Sequence, residues 1–102
     1  PDCGTGSSPA LHPQAIAVGS IGQAGLLSPF SSRGPAPAGH PKPDLVAPGE
    51  AIFSAAAAAD GSMLQQLSGT SMACPHVAGL IALLLARHPH LQTVKEIRRV
   101  LQ

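Results

Sequence analysis

Residues 68–79 carry the side chains best suited to chemistry and read Ser-Gly-Thr-Ser-Met-Ala-Cys-Pro-His-Val-Ala-Gly. Ser71 follows a Gly-Thr pair and precedes an apolar run with helical spacing, so its hydroxyl is predicted to lie where a loop becomes a helix. The first N–H groups of a helix lack intrahelical partners, and the helix dipole adds partial positive charge there. An oxyanion that forms beside Ser71 would therefore be stabilised.

Local chemistry alone leaves two interpretations of this position. Ser and Thr are common N-caps, so Thr70 or Ser71 would only cap the helix. In the catalytic interpretation Ser71 is a nucleophile, Gly69 allows close backbone approach and Thr70 sets the turn. A serine hydroxyl is a weak nucleophile, and it needs a base within hydrogen-bond reach that a third group orients.

The histidines of the chain do not supply such a base in a recognisable arrangement. His76 lies five residues after Ser71, which is about 140° around a helix, so it is predicted to face away. We expect its ring to be buried and hydrogen-bonded under the helix. The remaining histidines lie in loops or at the far end of the helix: His12, His40, His88 and His90.

Residues 68–79 resemble the nucleophile motif of the subtilisin-like serine proteases, the subtilases. Residues 30–35 (Phe-Ser-Ser-Arg-Gly-Pro) and 42–49 (Lys-Pro-Asp-Leu-Val-Ala-Pro-Gly) resemble the segment that precedes this motif in the family. Residues 3–5 and 16–19 add weaker similarities. The resemblance runs from near the first residue to Gln102, and it identifies residues 1–102 as the C-terminal part of a subtilase catalytic domain.

The resemblance implies an α/β fold, the C-terminal portion of a three-layer subtilisin-like domain. Such a domain has a mostly parallel sheet with helices on both faces, and a buried helix carries the nucleophile. The implied activity is that of a serine endopeptidase, which cleaves peptides or proteins through an acyl-enzyme on Ser71. Secretion is the default location of the family.

The resemblance also identifies what this chain lacks. The family carries its catalytic Asp and His in upstream motifs, Asp-Ser/Thr-Gly and His-Gly-Thr-x-Val-Ala-Gly, and neither motif occurs here. The family oxyanion hole uses an Asn side chain, and this chain contains no Asn. We therefore expect the chain to require the missing N-terminal part of the domain as a partner, and to be nearly inert alone.

Two other function classes fit parts of the sequence. A truncated or pseudoprotease chain would use the nucleophile helix only for packing or for binding another subunit. An α/β-hydrolase would place Ser71 on a nucleophile elbow, but that motif ends in Gly where this chain has Ala73. Upstream Asp, His and Asn motifs would separate the protease from the pseudoprotease.

Composition limits the partners. The 102 residues make at most one small domain, and only 11% are charged where roughly a quarter is usual, which indicates that much of the surface meets more protein. A net charge of +1 gives no basis for binding nucleic acid or an anionic membrane, and the two aromatic residues form no base-stacking platform. The longest apolar run, residues 77–86, is about half of a membrane span, so we expect a buried helix.

The pattern of apolar residues and turn residues predicts short strands and then two helices. Strands are expected at residues 15–19, 30–32, 45–47, 51–54 and 63–67, the last two joined as a hairpin through Asp60-Gly61. A helix is expected from near Ser71 until Pro89 stops it. A final helix is capped by Thr93 with Glu96 at the capping-box position. Its predicted inward residues are Val94, Ile97, Val100 and Leu101, and its predicted solvent-facing residues are Lys95, Arg98 and Arg99.

Three further residues have open or structural interpretations. Cys74 is expected to be a small buried thiol against the sheet, whereas Cys3 is either free or paired with missing chain. Asp44 matches a family position that can help hold a cation, or it accepts backbone N–H groups in a Pro-rich turn. Since calcium needs six to eight oxygens, no metal ligand and no cofactor are assigned, and the resemblance implies calcium only for the complete domain.

Overall fold

Two small sheets and two helices make up the part of the chain that the computed structural model describes, residues 4–37, 39–55, 61 and 63–102. The strands are β1 (Val18–Ile21), β2 (Leu45–Pro48), β3 (Ile52–Ala55) and β4 (Leu64–Leu67). The helices are α1 (Thr70–Arg87) and α2 (Val94–Leu101). The strands followed by helices confirm the predicted partial α/β arrangement.

The first sheet is parallel, with Val18 of β1 opposite Leu45 of β2. β2 lies where it was predicted, but β1 begins three residues later than expected. The reason is that Ala17 is already bonded elsewhere: its N–H donates to the Asp44 carboxylate at 2.8 Å, and its carbonyl accepts from the Asp44 N–H at 2.9 Å. Residues 15–17 are therefore a loop held by Asp44.

The strand predicted at residues 30–32 does not form. Instead this segment turns, with the Ser31 N–H donating to the Ser28 carbonyl at 3.0 Å. Two buried hydroxyls then dock the turn on β1, because the Ser20 N–H donates to Ser31 Oγ at 3.1 Å and the Ser20 and Ser28 hydroxyls share a 2.8 Å bond. Side-chain hydroxyls replace the expected strand ladder.

The second sheet is the predicted antiparallel hairpin, in which Ile52 of β3 pairs with Leu67 of β4. Of the predicted turn, Asp60 lies outside the described residues, and Gly61 has a positive φ of 83°. The hairpin leads directly into α1, so it stands beside the segment that carries Ser71.

Helix α1 packs against β1 and β2 with one stripe of its surface. Ala73 and Val77 are buried together with Ala47 of β2, and Ile81 extends the stripe with its side chain partly buried. The predicted burial holds only for this stripe. Leu80 and Leu83 are 48% and 71% exposed, because no other described element covers those faces. By length and composition alone α1 meets the minimum for a membrane span, a test that core helices also pass.

Helix α2 begins as predicted at Thr93. The Thr93 hydroxyl accepts from the Glu96 N–H at 3.2 Å and donates to the Glu96 carboxylate at 3.1 Å, a variant of the expected capping box. The assignment of its faces was partly wrong. Val94 and Val100 are 54% and 51% exposed, whereas Arg98 turns inward to an ion pair with Asp44.

A close approach of two backbone segments joins the end of β2 to the start of α1. The Gly69 N–H donates to the Gly49 carbonyl at 2.7 Å. A Cβ on Gly49 would contact the Ser20 hydroxyl and would lie 2.7 Å from the Gly69 carbonyl oxygen. Only glycine fits at residue 49 without moving the segment that precedes Ser71.

We therefore expect Gly49→Ala to destabilise the protein by about 1–3 kcal/mol, the usual cost of overpacking. Gly79→Ala is the matched control, because a Cβ on Gly79 in α1 meets no atom of the described residues within 4 Å. Alanine in a helix interior is favoured over glycine, so this control should stabilise by about 0.5–1 kcal/mol. Urea unfolding midpoints measure both changes, and equal midpoints for the two variants would contradict the expectation.

Candidate active site

Ser71 is the second residue of α1, and it is exposed. The N-cap is Gly69, and the Met72 N–H donates to the Gly69 carbonyl at 3.0 Å, which closes the first turn. Because Thr70 and Ser71 lie inside the helix, neither is its N-cap. The serine is thus displayed in the first helical turn, where the dipole favours negative charge.

A cavity of about 330 Å³ opens beside Ser71. One wall is the first part of α1, with Ser71, Met72, Pro75 and His76, and the facing wall is β3. The β3 residues of the wall are Ile52, Phe53 and Ser54. A side chain of a bound molecule would therefore rest between the hairpin and the helix, next to the serine.

His76 borders the same cavity and is exposed, so the prediction that it is buried was wrong. The hydrogen bond predicted for its ring is present, since Nδ1 lies 2.9 Å from the Met72 carbonyl oxygen. A carbonyl only accepts, so Nδ1 carries the proton in this contact. The ring is exposed because it lies on the hairpin side of α1, about 60° from the stripe formed by Ala73 and Val77.

Cys74 is exposed and has no disulfide partner among the described residues, which corrects the expectation of a buried thiol. The buried stripe of α1 is set by Ala73 and Val77, four residues apart. Cys74 lies about 60° beyond Val77 around the helix, on the side of the stripe opposite His76, so its side chain does not face the sheet. Cys3 lies outside the described residues.

No described residue with a carboxylate lines the Ser71 cavity. Three of the other described histidines make local contacts: the His88 and His90 rings meet edge to face at 5.7 Å, and His12 Nδ1 accepts from the Gln14 N–H. Gly69, Thr70 and Ser71 lie together because they are consecutive in the chain. A base oriented by a third group is not assembled at Ser71 among the described residues.

Asp44 is the centre of a partly buried ionic cluster that sequence reasoning missed. Its carboxylate accepts from Lys42 Nζ at 2.8 Å, from Arg98 Nη1 at 3.3 Å and from the Ala17 N–H at 2.8 Å. Lys42 Nζ and Arg98 Nη2 also donate to the Ala15 carbonyl. The side chains of Lys42 and Asp44 are only 4% and 6% exposed.

The contacts in this cluster distinguish the two interpretations of Asp44, as a backbone acceptor or as part of a cation site. The backbone-acceptor interpretation is confirmed by the bond from the Ala17 N–H. The cation-site interpretation does not fit, because both carboxylate oxygens already face cationic side chains. Burial raises the pKa of Asp44, but the hydrogen bonds from Lys42 and Ala17 and the charges of Lys42 and Arg98 outweigh this, so the pKa lies below its ordinary value.

The Lys-Pro-Asp spacing of residues 42–44 contains a signal for half of this cluster, since opposite charges two residues apart in an extended segment share one side. Arg98 carries no such signal. It lies 54 residues from Asp44 in the sequence and on a helix face that its neighbours Lys95 and Arg99 mark as polar.

Comparison with known proteins places this geometry in a family. The family model described as the subtilase family matches residues 1–102. Over 80 residues, or 78% of this chain, the sequence is 49% identical to "Subtilisin-like protease 1" of Trichophyton verrucosum. It is 42% identical over 81 residues, or 79% of the chain, to "Subtilisin" of Bacillus pumilus.

A solved structure, "Crystal structure of a cold adapted subtilisin-like serine proteinase", superposes with a TM-score of 0.74 at 37% identity and covers 94% of this chain. The chain spans only 34% of that structure, and 18% and 26% of the two relatives. The family model thus matches the whole of this chain, which spans a minor part of each relative, and the chain belongs to the subtilase family.

Proposed function

We propose that this chain is the C-terminal part of the catalytic domain of a serine endopeptidase and that Ser71 is its nucleophile. One observation carries the proposal: within a chain that matches the subtilase family throughout, Ser71 stands exposed in the first turn of α1 and opens onto a 330 Å³ cavity. In the complete domain the serine would attack a peptide carbonyl and form an acyl-enzyme, and water would then release the product.

The start of α1 supplies part of what this reaction needs. Negative charge that develops on the carbonyl oxygen would lie near the first helical turn, where unpaired N–H groups and the helix dipole favour it. The Gly69–Gly49 bond anchors the residues before Ser71 to the end of β2. Gly69 and Thr70 are therefore proposed to hold the turn that presents the nucleophile.

The base and its orienting carboxylate are proposed to come from upstream segments of the complete domain. The uncovered faces of α1 support this partner, since Leu80, Leu83 and Leu85 are 38–71% exposed. A helix that is apolar nearly all round is stable when other elements cover it. Peptides or proteins are the proposed substrates, and the extracellular space is the proposed location.

A fluorophosphonate probe tests this proposal, because it reacts with serines that a neighbouring base has activated. We expect labelling of the complete domain, with the adduct on the peptide that contains Ser71. We expect the 102-residue chain alone to remain unlabelled, because loss of the serine–histidine unit costs about 10⁶ in rate in subtilisin, a member of the same family. Prompt stoichiometric labelling of the isolated chain would refute the need for a partner, and no labelling of the complete domain would favour a pseudoprotease.

A further inference from the structure

A groove lies between α2 and two loops, away from the Ser71 cavity. Its larger part, about 610 Å³, is bounded by Pro13, Val94, Lys95 and Arg98. An adjoining cavity of about 260 Å³ shares Pro13 and Arg98 as walls and extends to residues 40–44. We call the two together the α2 groove. None of its lining residues borders the Ser71 cavity.

The charge of the α2 groove is positive. Among the described lining residues, three side chains are cationic, Lys42, Lys95 and Arg98, and one, Asp44, is a carboxylate. Lys42 is only 4% exposed, so Lys95 and Arg98 are the cations within reach of a ligand. Lys42 and Arg98 both contact that carboxylate, so Asp44 has no free side for another cation. Lys95 is exposed at the mouth of the groove, where it can pair with a ligand. The groove as a whole is complementary to an anionic ligand.

Apolar side chains form part of the walls between these charges, beside the polar Gln14, His40 and Gln102. Pro13 and Val94 line the larger part, and Val94 is 54% exposed although it is a large apolar side chain. Pro41 and Pro43 line the smaller part. A ligand that fits both features carries carboxylates and apolar side chains in alternation. Phosphate alone would leave the apolar walls unused, and among the described lining residues the only aromatic ring is the His40 imidazole, so the groove offers a nucleobase no Phe, Tyr or Trp to stack on.

We propose that the α2 groove is an exosite that binds an acidic peptide segment with apolar residues between its carboxylates. The larger part has the size of ordinary ligand pockets, about 300–1,000 Å³. The acidic side chains would face Lys95 and the outer edge of Arg98, and the apolar side chains would pack on Pro13 and Val94. This inference goes beyond the proposed function, because binding in the groove requires no catalysis.

Fluorescence anisotropy tests the exosite directly. The probe is a short fluorescein-labelled peptide of alternating Glu and Leu, and the protein is the complete domain with Ser71→Ala so that the probe is not consumed. We expect saturable binding that weakens about tenfold in Lys95→Glu, the equivalent of about 1.4 kcal/mol. The matched control is Arg87→Glu at the end of α1, which has the same charge change outside the groove and should leave the Kd within about twofold.

The peptide provides a second control that needs no protein variant. A peptide with Gln in place of Glu should bind about tenfold more weakly, because the charge complementarity is gone while the apolar contacts remain. The exosite is overturned by absence of binding, by equal affinity of the Gln and Glu peptides, or by equal weakening in Lys95→Glu and Arg87→Glu. Displacement of the probe by inorganic phosphate at the same concentration as unlabelled peptide would also overturn it, since it would indicate a simple anion site.

Discussion

Replacing Ser71 by alanine in the complete domain is expected to lower kcat for peptide hydrolysis by about 10⁶ and to leave KM nearly unchanged. The factor is the cost of removing the nucleophile in subtilisin. The physical reason is that alanine removes the only atom that forms the acyl bond, whereas the 330 Å³ cavity and the start of α1 remain in place. The measurement is the hydrolysis of a chromogenic peptide. The protein concentration is determined from the absorbance of a tag, because titration of the active site would fail for Ser71→Ala.

Ser68→Ala is the matched control for the loss of a serine hydroxyl. Ser68 Oγ accepts from the Ala51 N–H at 2.8 Å, so this substitution removes one hydrogen bond, worth about 1 kcal/mol of stability, and leaves the nucleophile. We expect its kcat to remain close to that of the parent. Residual activity of Ser71→Ala at the level of Ser68→Ala would show that Ser71 is not the nucleophile.

His76→Ala decides whether the nearby ring takes part. His76 lines the Ser71 cavity, but its Nδ1 proton is directed to the Met72 carbonyl, and no carboxylate among the described residues lines that cavity to orient the ring. We therefore expect only a small loss in kcat. A loss as large as that of Ser71→Ala would identify His76 as the base, and it would contradict the proposal that an upstream histidine fills that role.

The sequence predicted the fold where local patterns decide it. The apolar run after Ser71, the Pro89 stop and the Thr93 cap define both helices correctly, because helix ends depend on residues within one turn. The β3–β4 hairpin was also predicted, since its strands adjoin in the chain. The position of Ser71 in the first turn followed from the same local signals.

The errors concern side-chain partners that are distant in the chain or outside it. Arg98 has a polar neighbourhood in α2, and only the fold brings it to Asp44. Cys74 and His76 were predicted to be buried, yet a single stripe of α1 packs on the sheet in this chain and neither residue lies on it. The periodicity of apolar residues indicates which faces of a helix are apolar, but it does not indicate which of those faces other elements cover.

Replacing Asp44 by asparagine is expected to destabilise the protein by about 3 kcal/mol, the lower end of the cost of breaking a buried ion pair. Asparagine keeps the shape but removes the charge, so Lys42, whose side chain is 4% exposed, is left without a counter-charge. Arg98 is 24% exposed and can partly return to water, which is why we expect the lower figure. Because Asp44 joins residues 15–17 to α2, the loss should be cooperative.

Glu96→Gln is the matched control, since it makes the same change of atom type on α2. Glu96 has no cationic partner among the described ion pairs, and glutamine is also accepted in a capping box. We expect its free energy of unfolding to lie within about 0.5 kcal/mol of the parent. The free energies of unfolding come from urea titrations of the complete domain at neutral pH. Equal stability of Asp44→Asn and Glu96→Gln would mean that the ionic cluster contributes nothing.

The pH dependence of stability in the parent and in Asp44→Asn provides an independent test. The pKa of Asp44 is lower in the folded protein than the unfolded value of about 3.9. A carboxyl with a lowered pKa contributes stability that is fully present above its unfolded pKa and is lost as the pH falls through its folded pKa. The parent should therefore lose stability below about pH 4 more steeply than Asp44→Asn, so the gap between them should shrink. Parallel curves below that pH would show that the charge of Asp44 does not stabilise the fold.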